Sequence, residues 1–472
     1  MKNKLVYKYI GKVLITFAIL LLCPIIVSII YKEPILPFVI PALISITLGI
    51  LLNRLKPDTK YLYAKDGFVI VALSWIIISI LSALPFVINN DTNIVNALFE
   101  AVSGLTTTGA TIFNDVEKLN KSMLFWRSFT VYIGGMGVLA FVMAVIPLSQ
   151  NDKSMHVLKA EMPGPSVSKL VPSIKKTLMY LFGIYIGLTI VEIIFLLIGG
   201  LSVYDSVLIS FATAGTGGFT QFNDGLASIG SFNQIVVAIA MFLFGINFNI
   251  YFLLLMKEFK SIFKSEELKT YIVMCLIAIA FIVANTWHMF DTLSEALRQT
   301  AFHVSSIVTS TGFGVGDVTI YPTSCRVLCL FLMLVSACAG STCGGFKISR
   351  LIICLKSIAR DILKIFKPNS VKTIKFENKK IDEDTISSVR AFLFLYIIIL
   401  VSLIFLVSYD GFSLETTINA AFTTFANNGI TFGISSFDIF SNLSKIAMTA
   451  GMLLGRLEIF PLIILFSGTK TK

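Results

Sequence analysis

The chain has 472 residues, of which 56% are hydrophobic and only 14% charged, and it carries a formal net charge of +11. With a mean hydropathy of +0.86 it lies outside the range of soluble domains, and its long apolar runs read as membrane helices. A basic balance points to nucleic acid only where the charge is clustered. Here Lys and Arg fall on alternate loops, opposite loops holding Asp91, Asp115, Glu117, Asp224, Asp317, Asp410 and Asp438, which is the positive-inside pattern of a multi-pass protein with both termini in the cytoplasm.

The first apolar run, about 9–30, follows Lys2, Lys4, Lys8 and Lys12 as the core of a signal peptide would. It is long enough to span, lacks a small-residue cleavage site and leads at once into a second run, so a retained helix is expected. Helices near 8–30 and 36–54 form a leading pair within residues 1–60. After them, a long span, a short apolar helix, a polar Gly-containing strand and a second long span recur four times. The spans fall near 67–88 and 122–147, 173–200 and 231–256, 270–288 and 323–355, 388–408 and 440–466, giving repeats at 61–150, 151–260, 261–384 and 385–472. The expected fold is an all-α polytopic membrane protein, two N-terminal helices plus four helix–pore-loop–helix repeats around a pseudo-fourfold pore.

The Gly strands carry the chemistry. They are Thr107-Thr108-Gly109-Ala110, Gly215-Thr216-Gly217-Gly218, Ser310-Thr311-Gly312-Phe313 and Asn427-Asn428-Gly429-Ile430, with Gly109, Gly217, Gly312 and Gly429 at intervals of roughly one hundred residues. A backbone that turns polar at membrane depth must line water or be buried in protein. Four such strands about one axis would make rings of backbone oxygens that replace the water shell of a monovalent cation, with Thr, Ser and Asn oxygens at the rim. Acids near the starts of the short helices (Glu100, Asp205, Asp291 with Glu295, Glu415) read as partners of helix N-termini, leaving the partly negative ends aimed at the strands.

Further along, Gly340-Ser341-Thr342-Cys343-Gly344-Gly345, continuing through Phe346 to Lys347, interrupts an apolar span. Close helix packing through small residues is one account; the polar Ser341, Thr342 and Lys347 favour a loop beneath the filter that obstructs the pathway until moved. Arg456 lies inside the last span. It either lowers cation occupancy electrostatically or holds backbone carbonyls in place. Arg127, beside Trp126, reads as a snorkelling interfacial residue with no transport role. The basic stretch 347–380 reads equally as a helix on anionic lipid or as a dock for a cytosolic regulator. Seven Cys without CxxC spacing and three scattered His (156, 288, 303) give no transition-metal site. No catalytic constellation is found either, His303 near Ser305 and Ser306 lacking an acidic partner, so an enzyme is not expected.

The stretches Gly104–Thr111, Ile133–Gly137, Thr216–Phe219, Gly245–Phe248, Thr309–Phe313, Ala339–Thr342, Asn428-Gly429 and Gly455–Pro461 together resemble the Trk/Ktr/HKT superfamily of cation transporters, its TrkH-type potassium uptake branch most closely. The likeness covers the whole chain, and the leading helix pair looks like TrkH rather than the shorter KtrB form. The resemblance implies K⁺ uptake across the bacterial inner (cytoplasmic) membrane, no cofactor in this chain, a homodimer with a pore in each subunit, and a cytosolic nucleotide-binding RCK-type partner acting through the intramembrane loop. It makes Gly109, Gly217, Gly312 and Gly429 the filter glycines and Arg456 the arginine of the last helix. Gly at all four positions resembles the K⁺-preferring members; a Na⁺-preferring or weakly selective transporter remains the alternative. Cys343 departs from the Gly that relatives often carry there.

Overall fold

The computed structural model describes residues 4–56, 64–145, 174–369, 372–459 and 461–463. Lys2, His156 and the loop lysines Lys60, Lys153, Lys159, Lys169, Lys470 and Lys472, which contribute to the positive-inside pattern, lie outside these residues, as do Phe460 of the last motif and the span ends at 146–147 and 464–466.

Among the described residues, six helical stretches are long and apolar enough to cross a membrane: Lys4–Tyr31, Leu36–Asn53, Asp66–Ile88, Met179–Ile198, Glu266–Met289 and Glu383–Ser408. The first two are the leading pair, packed side by side where Gly11 and Gly49 let their backbones approach. The other four open the four repeats. Each is followed by a short pore helix: Ile94–Leu105, Val203–Gly215, Leu293–Val308 and Leu414–Phe425. The closing helices differ. That of the first repeat runs unbroken over Lys121–Val145 and that of the fourth over Asn442–Arg456. In the second repeat, Gly230–Phe244 and Phe248–Leu255 meet at 89°, a break that the continuous apolar run conceals. Asn247 makes it, since its side chain accepts from the Asn249 amide and starts a new helix. In the third repeat, Thr323–Val335 and Ile348–Phe366 are separated by the non-helical segment 336–347, where the Gly-rich interruption was expected.

The four pore helices are built alike at both ends. Asn93, Ser202, Thr292 and Ser413 are the N-caps, each accepting from the amide three residues on. The acids play unequal parts. Asp205, Glu295 and Glu415 do lie in first turns, but Glu100 sits mid-helix and fully buried, so its task lies elsewhere. At the other ends Thr107, Thr216, Ser310 and Asn427 take left-handed backbone, φ 53 to 57°. The next amide returns five residues in each case: Thr108 to Ser103 O at 2.8 Å, Gly217 to Ala212 O at 3.0 Å, Thr311 to Ser306 O at 2.8 Å and Asn428 to Thr423 O at 2.9 Å. This is a Schellman close, repeated four times. It turns the chain out of each helix just where the partial negative charge of the C-terminus gathers.

Candidate ion-conduction site

Two residues after each left-handed cap comes a left-handed glycine: Gly109 (φ 78°), Gly218 (57°), Gly312 (90°) and Gly429 (81°). The sequence spacing had favoured Gly217 in the second repeat. The backbone instead puts Gly218 in register, makes Gly217 the middle residue of its strand, and ends the pore helix at Gly215. The reason is packing against the next strand. A Cβ on Gly109 would lie 2.1 Å from Gly217 O, on Gly218 2.2 Å from Thr311 O, on Gly312 2.4 Å from Asn428 O, and on Gly429 2.2 Å from Thr108 O. Each glycine thus abuts the middle carbonyl of the following repeat, and the fourth returns to the first. Only residues without a side chain fit such a ring. Gly109, Gly218, Gly312 and Gly429 all line one cavity of about 270 Å³, together with Asp317 and Arg127; Gly217 does not. Of the outermost candidates, Ala110, Phe313 and Ile430 are buried, and Phe313 O is already engaged by Ser306 Oγ at 2.8 Å.

The polar side chains around the ring brace it from behind rather than decorate its rim. Thr106 and Thr108 hydroxyls meet at 2.8 Å and those of Thr309 and Thr311 at 2.7 Å. Asn427 Nδ2 donates to Thr108 Oγ1 at 2.9 Å, and Asn428 Nδ2 to Ile307 O at 2.6 Å. Beyond each ring glycine, the outgoing strand is tied to its own pore helix. Glu100 accepts from the Ile112 amide at 2.9 Å, Asn419 from Phe432 at 2.9 Å, and His303 Nε2 from Val315 at 3.5 Å, with His303 Nδ1 on Tyr321 Oη at 2.9 Å. In the second repeat the tie reverses, Gln221 Nε2 donating to Asp205 at 2.9 Å. His303, Asn419 and Gln221 are therefore positioning residues, and no sequence motif announced them.

Arg127 does not snorkel but is buried inside the protein. Its side chain is 2% exposed, its Nε meets Glu100 Oε1 at 2.8 Å, and its other nitrogens reach Thr220 O at 2.9 Å and Thr111 Oγ1 at 3.2 Å. The guanidinium lies over the Phe219 ring at 4.3 Å. One ion pair thereby holds the outgoing strands of the first and second repeats.

On the other side of the ring, segment 336–347 packs against the feet of the strands. The Gly344 amide donates to Ser310 Oγ at 2.8 Å, and a Cβ on Gly344 would meet Ala426 O at 2.6 Å and Asn427 Cβ at 2.8 Å. Thr342, Cys343, Gly344 and Gly345 are buried, Gly340 and Ser341 half-buried, and Lys347 Nζ folds back onto Cys343 O. Arg456 donates to Thr342 O at 2.7 Å and to Gly134 O at 2.9 Å. Of its two sequence readings, this geometry favours the holding of carbonyls, and it joins the loop to the closing helix of the first repeat. Glu458 pairs with Arg350 on the helix that leaves the loop.

The model of the TrkH family, described as a cation transport protein, matches residues 38–470. This chain belongs to the TrkH family. It is accordingly a polytopic membrane protein of cation transport and not an enzyme. Among its relatives, the Trk system potassium uptake protein TrkG of Escherichia coli (strain K12) is 32% identical over 466 residues, covering 96% of this chain and 95% of that protein. The Trk system potassium uptake protein TrkH of the same organism is 30% identical, with 99% of each chain covered. The crystal structure of the potassium transporter TrkH from Vibrio parahaemolyticus superposes with a TM-score of 0.89 at 26% identity, covering 98% of each chain. The all-α fold of this TrkH-family chain is that of a solved transporter over nearly its full length.

Proposed function

We propose that this chain takes up potassium ions across the cytoplasmic membrane through the ring of strands, with both termini in the cytoplasm. The observation that carries the reading is the closure of four left-handed glycines on four carbonyls of neighbouring repeats. A narrow ring of backbone oxygens, backed by four helix C-termini, offers partial negative charge without a fixed anion, which suits release of a monovalent ion as well as its binding. The ligands are backbone oxygens of 107–109, 216–218, 310–312 and 427–429, supplied by the repeats bounded near 61, 151, 261 and 385. Segment 340–347 is the gate: it lies against the feet of two strands, and Arg456 ties it there. The names of the relatives, potassium uptake proteins of a Trk system, support K⁺ as the transported ion and a further subunit as regulator. We assign that role to a cytosolic nucleotide-binding RCK-type protein, and the working unit to a homodimer.

The test is uptake of radioactive rubidium into K⁺-loaded proteoliposomes holding the purified chain. Block by external K⁺ with little block by Na⁺ is the expected result. Equal block by both ions would replace the reading with a weakly selective or Na⁺-tolerant pathway.

A further inference from the structure

We propose that the Glu267 carboxylate is the latch of the intramembrane loop and that the cytoplasmic hairpin at 375–380 is the handle that works it; this rests on the gating reading above. Glu267 stands in the first turn of the helix Glu266–Thr286 and is 4% exposed. Its Oε1 accepts from the Ala339 amide at 2.7 Å, and its Oε2 from Asn247 Nδ2 at 3.2 Å. Loop residues on either side of Ala339 bond to the broken helix of the second repeat, the Cys338 amide to Gly245 O at 3.2 Å and the Phe248 amide to Gly340 O at 3.1 Å. One buried carboxylate therefore gathers the loop and the helix break at a single point. A backbone amide that donates to a carboxylate is held more firmly than one that donates to a carbonyl.

The same residue is gripped from outside through its main chain. Lys375–Phe376 pairs antiparallel with Lys379–Lys380, and the tip residues Glu377 and Asn378 adopt φ of 49° and 60°, as a tight hairpin turn requires. Glu377 Oε1 accepts from Ser265 Oγ at 2.8 Å and from the Glu267 amide at 3.0 Å. Ser265 is itself the N-cap of that helix, accepting from the Leu268 amide at 3.3 Å. The hairpin tip thus supplies an anion to a helix N-terminus, a favourable placement that sets the pose of the first turn. Opposite the tip, Lys356 donates to Lys375 O at 2.8 Å and pairs with Glu266. Lys356 lies on Ile348–Phe366, the helix that leaves the loop. The hairpin is therefore bonded to the helix whose Glu267 holds the loop and to the helix into which the loop runs. Ile374, Phe376 and Ile381 anchor it in the core, while Lys375, Lys379 and Lys380 are exposed. A pull on the exposed face shifts the first turn of Glu266–Thr286 and takes the Glu267 carboxylate off Ala339.

The test uses rubidium uptake by the full chain alone in proteoliposomes. It compares Glu267→Gln, Glu377→Ala, the double variant and a deletion of residues 340–345, with melting curves to show that each variant is folded. Both single substitutions are expected to raise uptake about tenfold, the factor that corresponds to one charge-assisted hydrogen bond. The double variant should rise no further than Glu267→Gln, since the handle acts through the latch, and the K⁺-over-Na⁺ competition should stay as in the wild type. A structural lesion in the pore would shift that competition instead. If the deletion raises uptake and the substitutions do not, the latch is refuted and the gate stands. If the substitutions add independently, the handle does not act through Glu267. If the deletion itself leaves uptake unchanged, the gating reading fails.

Discussion

Replacing Gly218 by alanine puts a methyl group where the Thr311 carbonyl already is. The ideal Cβ lies 2.2 Å from that oxygen, whereas even close carbon–oxygen contacts hold about 3.3 Å. The oxygen must therefore retreat by about 1 Å, or the strand must give way. Left-handed backbone at φ 57° adds about 1–2 kcal/mol for a residue with a side chain. The displaced oxygen belongs to the ring, so the expected damage is to discrimination as well as to rate. A tenfold fall in the preference for K⁺ over Na⁺ corresponds to about 1.4 kcal/mol, which is within what the strain alone supplies. Rubidium uptake with graded K⁺ and Na⁺ competitors reads the ratio directly. Gly217→Ala is the control. Its φ is not left-handed, and its methyl would press on Val131 and, at 2.9 and 3.1 Å, on the Cα and carbonyl carbon of Thr107, a looser approach to the ring than the 2.2 Å of Gly218, so its selectivity should change less. A Gly218→Ala protein that keeps the wild-type ratio, or a Gly217→Ala protein that loses more of it, would refute the register.

The braces around the ring make further expectations. Arg127→Met leaves Glu100 buried with its ion-pair partner gone and should cost about 3–5 kcal/mol of stability; a melting curve should show the Arg127→Met/Glu100→Gln double variant recovering part of the loss. Glu192 sits in the middle of an apolar span, 3% exposed, with the Thr213 side chain as its hydrogen-bonding neighbour. Burial of the acid outweighs this one contact, so Glu192→Met should raise the melting temperature, gaining about 1–3 kcal/mol, and a loss of stability would show that the Thr213 contact outweighs the burial. In the loop before the last helix, Asp438 is held below the usual carboxylate range by Lys445 Nζ at 3.1 Å, and also by Asn96 Nδ2 at 2.9 Å. A depressed carboxyl pKa contributes stability above its unfolded value, near 3.9, and that contribution is lost as pH falls through the folded value. Acid titration of the folded protein should thus show Asp438→Asn less stable than wild type at neutral pH, and the two converging at the acid end.

The repeats, the re-entrant helices and the Gly strands were legible because each is a local pattern: a length of apolar sequence, then a small polar cluster. Which of two adjacent glycines takes the left-handed conformation was not. Gly217 and Gly218 are chemically identical, and only the approach of Thr311 from another repeat separates them. Arg127 was misplaced for a related cause. The neighbouring Trp126 suggested an interface, while the deciding partner, Glu100, stands on a different helix at 2.8 Å. Glu100 in turn looked like a helix-start acid, a position that Asn93 fills by capping. The bend at Asn247 was hidden inside an apolar run, since a helix that stops and restarts keeps its composition. What the sequence withheld was a contact between repeats for Gly218, a contact between two helices of one repeat for Arg127, and a local cap for the bend at Asn247.

The ring of glycines and carbonyls also has a handedness. Each glycine guards an oxygen of the next repeat and never its own: the first serves the second, the second the third, the third the fourth, and the fourth the first. Injury at one quadrant is therefore felt one step onward, always in the same sense of rotation. Four outwardly equivalent Gly→Ala substitutions become inequivalent lesions. That at Gly312 falls on Asn428, which bonds back to Ile307 on the third pore helix, whereas that at Gly109 falls on Gly217, which has no side chain to brace it. A pore cut from one chain can give each quadrant its own stiffness, a freedom denied to four identical subunits.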